Sequence, residues 1–509
     1  MKHYTVLAGC ATGMLTMVSC QYSDQPVAEK IKGVKPRNII FILSDDHRHD
    51  FMGFTGKVPW LQTPHLDALA QGGVHLRNAF CTSSLSSPSR ASILTGLYAH
   101  QHEVVDNYEP VRQDLIFFPQ YLQSRGYETA FFGKWHMGHE TDAPQRGFTH
   151  WESFMGQGVY YNPTLNINGK HVSYSDSTYI TDLLTDHAIN WLKQRNKNQP
   201  FFMYLSHKAV HHEWIASRKH KGMYDQEEIP SAASLYQYVS GVADEPKRHE
   251  KKKGKLYFGE KATPDWVKSR AYSWHGALHD EKEWPDIFRR YCETLTSMDE
   301  SIGELMSFLK ESGMDQETLV IYMGDNGHSM GEHGLMDKRH FYEESTRVPL
   351  LAYCPALIPA GTVVNEMVLN VDIAPTVMEL AGLRPAEQMV GASFVNLMQG
   401  KPVTNWRDKF FYEYYWEFQY PNTPTIFGVR TDRYKYIFNQ GVWDANELYD
   451  LVTDPGETRN LIFDSEYDSI GVALKNELFQ WLKTTGGDKI PMRKGPERRS
   501  GEHRTEGMY

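Results

Sequence analysis

Two groups of oxygen-bearing residues stand directly behind apolar runs: Asp45-Asp46 after Leu43-Ser44, and Asp325-Asn326-Gly327 after Ile321-Tyr322-Met323-Gly324. Together they offer three carboxylates and an amide oxygen without a thiolate, a hard ligand set suited to Ca²⁺ or Mg²⁺ and unsuited to structural zinc. Packed carboxylates also need a cation to offset their repulsion. Taken singly, each group is equally a helix cap or a turn, and Asp-Asn-Gly is a common turn sequence. A third cluster runs Ser86-Ser87-Pro88-Ser89-Arg90 into Thr95-Gly96. Pro88 suits a first helical position and Gly96 a helix end, which sets Ser86 just outside a helix amino terminus with Arg90 one turn in. Free backbone N–H groups and a guanidinium around one point make a seat for a tetrahedral oxyanion. The bland reading is that Ser86 and Ser87 cap the helix. Serine is a weak nucleophile without an adjacent base, and none is adjacent in sequence. The fourth cluster is Gly133-Lys134-Trp135-His136. In an extended segment Lys134 and His136 point to the same side, offering an ammonium for an oxyanion and an imidazole for proton transfer.

The elements that must carry these clusters are those of an α/β protein. Asn38 to Leu43 is a continuous apolar run, as expected of a strand buried on both faces. Thr63-Pro64 predicts a helix with a capping threonine, ended by Gly72-Gly73 before a strand over 74–80. Further strands are expected at 127–132, 200–206, 318–323 and 348–353, most followed at once by polar residues; ligands of open α/β sheets bind beyond such carboxyl ends. From about Asn405 aromatic strands at 410–416, 425–431 and 434–439 and a helix near 470–485 predict a smaller α+β subdomain. Tyr414-Tyr415-Trp416 reads chiefly as core, with sugar stacking as the alternative. The basic run from Lys247 to Lys253 reads as a solvated face.

Composition narrows the class. The chain has 509 residues, 40% hydrophobic and 23% charged, with 5 cysteines, which excludes collagens, disordered tails and disulfide miniproteins. A formal net charge of −10 argues against a nucleic-acid partner. At the amino terminus Lys2 and His3 precede an apolar stretch too short to span a membrane, ending Met17-Val18-Ser19-Cys20. This ending resembles a bacterial lipobox. The implied organisation is a signal peptide (1–19) and a polar tether (20–36), with lipid on Cys20 as the sole membrane contact. The expected location is periplasmic or cell-surface; an ordinary secretory signal is the alternative. The remaining cysteines past Cys20, namely Cys81, Cys292 and Cys354, are odd in number, so no disulfide framework is expected.

The motifs in order resemble the type I sulfatases in their serine form. Ser86-Ser87-Pro88-Ser89-Arg90 matches the maturation signature. Gly133-Lys134-Trp135-His136-Met137-Gly138, Gly331-Glu332-His333-Gly334, Asp337-Lys338 and Glu447-Leu448-Tyr449-Asp450-Leu451 follow the family order. The resemblance covers residues 37–461 and implies an alkaline-phosphatase-like α/β fold: a large mixed sheet flanked by helices (37–404) with a C-terminal antiparallel-sheet subdomain (405–509). It implies oxidation of Ser86 to formylglycine by a serine-type maturing enzyme. The aldehyde hydrate would then attack sulfur, and Asp45, Asp46, Asp325 and Asn326 would hold Ca²⁺, or less favourably Mg²⁺, with residue 86. By the same resemblance Arg90 stabilises the hydrate, Lys134 and Lys338 hold sulfate oxygens, and His136 takes the proton that collapses the intermediate. His211 is expected to protonate the leaving alcohol, with His207 and His212 as alternatives, because relatives commonly read Ala-Pro-His where this chain has Ala209-Val210-His211. The stretches at 45–53 and 337–344 look most like the N-acetylglucosamine-6-sulfatase branch, so a sulfated saccharide of heparan, keratan or mucin type is the expected substrate. A phosphoester or phosphonate hydrolase of the same superfamily, and a non-catalytic glycan-binding lipoprotein with unoxidised Ser86, are the competing readings.

Overall fold

The computed structural model describes residues 26–138, 140–229, 264, 266–267, 270, 283–441 and 445–489. The expected signal peptide, Cys20, the basic run at 247–253 and the last twenty residues lie outside these. Among the described residues no helix is long and apolar enough to cross a membrane.

Among the described residues ten strands form the main sheet: β1 (Asn38–Ser44), β2 (Val74–Leu76), β3 (Glu128–Lys134), β4 (His150–Phe154), β5 (Thr164–Ile167), β6 (Lys170–Ser173), β7 (Phe201–Ser206), β8 (Thr318–Gly324), β9 (Leu350–Tyr353) and β10 (Thr362–Val364). Their spatial order is β10-β2-β9-β8-β1-β7-β3-β4-β5-β6. The central block β8-β1-β7-β3-β4 is parallel throughout, and β9 runs antiparallel to β8. The expected strand over 74–80 is broken after Leu76, and Ala79–Phe80 pairs with Val368–Leu369 in a separate ribbon.

Alternation along β1 feeds two cores. Ile40 and Ile42 pack with Leu66, Leu184, Leu295 and Ile302 on one face, while Ile39, Phe41 and Leu43 pack with Ile93, Leu122 and Val377 on the other. Full burial of each such side chain is worth roughly 1.5–3 kcal/mol. A continuous apolar run is therefore what β1 requires, because neither face of it meets water.

A second sheet, β11 (Lys409–Tyr414), β12 (Thr425–Thr431), β13 (Tyr434–Gln440) and β14 (Glu447–Asp450), is an antiparallel meander covered by the helix Asp468–Thr485. Tyr414 and Tyr415 are core residues there, whereas Trp416 is 39% exposed. Cys81, Cys292 and Cys354 are free and buried.

The described part of the tether segment bonds to the main domain: Lys30 bridges to Leu383, and Ile31 N–H donates to the Gly382 carbonyl. One local expectation is corrected. Thr63 precedes the helix Pro64–Gly72 without capping it; its hydroxyl accepts from Gly53 N–H (2.7 Å) and donates to Asp67 (2.9 Å). The cap comes instead from Asp299, 233 residues beyond Leu66, whose carboxylate takes Leu66 N–H (2.7 Å) and His65 N–H (3.1 Å). Asp299→Ala leaves those amides unsatisfied in the interior and is expected to cost about 1–3 kcal/mol, more than Thr63→Ala, in chemical denaturation.

Candidate active site

Because β3, β7, β1 and β8 are parallel neighbours, their carboxyl ends fall on one edge of the sheet. Ser44 is level with Gly324, Leu43 with Ser206, and Ser206 with Gly133. The residues that follow are thereby brought together although the sequence scatters them from 45 to 338. Gly133 has φ of +108°, and any side-chain carbon there would overlap the Ser206 carbonyl, so the approach of β3 to β7 at this edge requires glycine.

The structure assembles Asp45, Asp46, Asp325, Asn326, Ser86, Arg90, Lys134 and Lys338 into one buried cluster. Asp46 takes a left-handed backbone (φ +56°), its N–H donates to Asp325 Oδ1 (3.0 Å), and Tyr291 OH donates to its carbonyl (2.8 Å). Lys134 Nζ binds Asp45 Oδ2 and donates to Gln157 Oε1 (2.5 Å), and Lys338 Nζ binds Asp46 Oδ1. Arg90 grips Asp325 Oδ2 through Nε (3.1 Å) and Nη2 (2.9 Å), reaches Asp45 at 3.5 Å, and fixes the Lys134 carbonyl with Nη1 (2.7 Å).

Burial and charge oppose each other here. Burial raises the Asp45 carboxyl, but Lys134, Arg90 and Lys338 together hold it well below the usual range. Burial, with Asp45 and Asp46 nearby, pushes Asp325 up to about 6 in spite of Arg90. Burial likewise raises Asp46 despite Lys338, and brings Lys134 down to about 8 against the pull of Asp45.

Ser86 is the first residue of the helix Ser86–Thr95, not a residue before it, and Pro88 is third. Leu85 supplies the extended capping position, with its carbonyl accepting from Ser89 N–H. Neither serine caps the helix. Ser86 Oγ donates to Asp45 Oδ1 (3.2 Å), and Ser87 Oγ donates to the His136 carbonyl. The chain does not stay extended after Lys134: His136 is left-handed (φ +59°), and its Nδ1 lies 3.5 Å from Ser87 Oγ.

Of the three histidines after β7, the structure brings His211 to the carboxylates, with Nε2 at 3.8 Å from Asp46 Oδ2. His207 is fully buried and held down to about 3 by desolvation, while His212 packs on Trp214 at 4.8 Å. Burial, then Lys134, Lys338 and Lys208, keep His211 well below its ordinary value. Val210, the departure from the expected proline, donates its N–H to the Asp45 carbonyl (2.8 Å), a bond proline cannot make. Two further residues stand at the site without a motif of their own in the sequence. His328 reaches within 3.8 Å of Asp46 Oδ2 and was signalled only by following Asp-Asn-Gly. Gln157, between Gly156 and Gly158, had no sequence signal beyond its place after a strand.

The donor set fits a hard divalent cation. Asp45, Asp46 and His211 place ligand atoms within 4.8 Å of one another, and Asn326 Oδ1 is buried without a hydrogen-bond partner while its Nδ2 donates to Asp46 (2.7 Å). Asp325 stands differently: Oδ2 takes Arg90, and Oδ1 takes the N–H groups of Asp46 and Asn326.

Residues 37–383 match the Sulfatase family model, and residues 331–484 the C-terminal model of N-sulphoglucosamine sulphohydrolase. The chain belongs to the sulfatase family. The N-acetylglucosamine-6-O-sulfatase of Bacteroides thetaiotaomicron is 33% identical, over 92% of this sulfatase and 89% of that protein. A structure solved in complex with its substrate D-glucosamine-2-N,6-O-disulfate superposes with TM-score 0.78 at 31% identity, covering 89% of this chain and 99% of that one. The phosphonate monoester hydrolase of Agrobacterium radiobacter shares the fold (TM-score 0.68, 22% identity, 88% of this chain and 96% of that one). The sulfatase family implies a formylglycine and a divalent metal, and Asp45, Asp46 and His211 form a candidate metal site here.

Adding Ca²⁺ to protein with plain serine at 86 is expected to raise its melting temperature in a concentration-dependent way, with about 2.7 kcal/mol of added stability at a hundredfold excess over Kd. Asp46→Asn should abolish the response. A wild-type melting curve indifferent to Ca²⁺ and Mg²⁺ would contradict the cation site.

Proposed function

We propose that this sulfatase hydrolyses the 6-O-sulfate of glucosamine or N-acetylglucosamine units in glycans of heparan, keratan or mucin type. The observation that carries this is the placement of Ser86 Oγ on Asp45 amid Lys134, Lys338 and Arg90, in a chain 33% identical to an N-acetylglucosamine-6-O-sulfatase. Formylglycine at position 86 would supply a nucleophile that serine is not. Asp45, Asp46, Asp325, Asn326 and residue 86 would hold Ca²⁺, which compensates their charge and that of the sulfate.

The chain's own groups do the rest. Lys134 and Lys338, whose ammonium groups lie at the carboxylates, meet the anionic sulfate oxygens, and Arg90 keeps Asp325 and Asp45 ionised and in place. Burial makes these contacts strong, since little water screens them. His211 gives its proton to the leaving sugar oxygen; the negative charge of the bound sulfate, by offsetting Lys134 and Lys338, favours the protonated imidazole this needs. His136, next to Ser87, takes the proton released at residue 86.

The lipobox-like ending at Cys20 supports an exported, lipid-tethered enzyme, periplasmic or cell-surface, matured by a serine-type enzyme before it meets its glycan.

Protein made with a serine-type maturase should carry a residue-86 peptide lighter by two hydrogens and release sulfate from N-acetylglucosamine 6-sulfate. Protein made without it should be inactive. Full activity in the aldehyde-free form, or faster turnover of an aryl phosphate than of any sulfate ester, would contradict the proposal. His211→Ala should lower kcat on the sugar sulfate by about 10²–10⁴ and far less on an aryl sulfate, whose leaving group needs no acid. Equal losses on both substrates would remove His211 from that role.

A further inference from the structure

The loop carrying Lys338 is anchored at three successive residues, by two strands of the small sheet and the segment that follows them. Lys435 Nζ donates to the Phe341 carbonyl (2.8 Å), Tyr342 OH donates to Glu447 (2.6 Å), and Glu343 N–H donates to Glu457 (2.7 Å). Between Lys338 and this anchor the backbone is constrained as well: Asp337 and Arg339 both have positive φ (136° and 81°), and Arg339 N–H donates to the Ser84 carbonyl (3.1 Å).

Tyr412, on β11, touches both halves of the site. Its ring lies flat on Phe341 (4.4 Å between centroids, 11° between planes), and its hydroxyl accepts from Ser84 N–H (3.4 Å), two residues before Ser86. Two positions earlier and one later the same strand holds on: Phe410 meets Phe341 edge-on at 5.7 Å, and Glu413 N–H donates to the Thr82 carbonyl (3.0 Å). Directly across the ladder from Tyr412 is Gly428. A side-chain carbon at 428 would overlap the ring of Phe341. In the interior of a strand, glycine forgoes packing and costs entropy, so its presence under an aromatic ring marks a place where another element must approach closely.

We propose that Gly428 and Tyr412 are positioning residues for catalysis: the gap left by Gly428 seats Phe341 on Tyr412, and this stack sets Lys338 at a fixed distance from the Ser86 loop. The small sheet is then a gauge between the residue-86 loop and an ammonium group that contacts sulfate. The proposal rests on the assignment of Lys338 to the sulfate oxygens.

The test is a double-mutant cycle on matured enzyme with N-acetylglucosamine 6-sulfate, each variant first checked for a cooperative melt. Gly428→Ala, by pushing Phe341 and hence Lys338 out of place, is expected to lower kcat/KM by about 10- to 100-fold. In a Lys338→Ala background the same change should cost almost nothing further, because the group it displaces is gone. Adding Phe341→Leu to Gly428→Ala should recover much of the loss by relieving the overlap. If Gly428→Ala does not fold, Tyr412→Leu, which removes the stacking face without adding bulk, replaces it in the cycle. Undiminished activity in Gly428→Ala, or a loss that multiplies with that of Lys338→Ala, overturns the positioning role. Full activity of Lys338→Ala overturns the assignment of Lys338, and the positioning role with it.

Discussion

Three carboxylates buried side by side are the constraint on which the rest of this structure depends. At about 4 Å and an effective dielectric near 20, each like-charged pair repels by about 4 kcal/mol, so Asp45, Asp46 and Asp325 cannot share one site uncompensated. Compensation arrives from three separate segments: Arg90 from a helix, Lys134 from a strand end, and Lys338 from a loop 292 residues away from the Asp46 it binds. The same arrangement that stabilises the cluster prepares it for an anionic ester, since a dication taken up by the carboxylates leaves a ring of cationic side chains with negative charge to bind. Folding and catalysis therefore draw on the same electrostatic balance.

The topology is what makes such a concentration of charge possible. Parallel strands end on the same edge, and four of them deliver their next residues to a volume small enough for direct contact. Backbone devices then trim the geometry. Asp46 and His136 adopt left-handed conformations, and Gly133 lets β3 close on the Ser206 carbonyl. Backbone held in sparsely populated regions persists where the surroundings over-determine it, and these positions are flanked by fully buried strands. The small sheet adds a second support, through contacts to the Ser84 and Phe341 loops.

Much of this was legible in the sequence because its signals are local. A run such as Asn38 to Leu43 is a buried strand whatever surrounds it, and acids placed directly after such runs fall at strand ends. The motif order from Ser86 to Leu451 carried the family. What the sequence withheld is long-range or conformational. Thr63 looked like a cap, but Asp299 from a distant helix took the amides and left the hydroxyl to Gly53 and Asp67. The pairing of Lys134 with His136 was read on an extended chain, whereas His136 takes a left-handed backbone. Leu85 rather than Ser86 is the helix boundary, and the serine hydroxyls go to Asp45 and the His136 carbonyl instead of capping the helix. His328 and Gln157 have no pattern of their own; only the folded chain brings them to the site. The tether from Lys30 to Val34 reads as polar linker by composition, yet backbone bonding to Gly382, which composition does not register, holds it down.

The central claim is that the carboxylate cluster holds a cation and that the sulfate ester lies over residue 86 between Lys134 and Lys338. A crystal structure of the Ca²⁺-loaded protein with glucosamine 6-sulfate tests it most directly. The account predicts a cation held among Asp45, Asp46, Asp325, Asn326 and residue 86, with the sulfate oxygens on the two lysines and the sulfur facing position 86. A sulfate bound elsewhere, or a cluster still closed by its own lysines with saturating Ca²⁺ and sugar present, would contradict it.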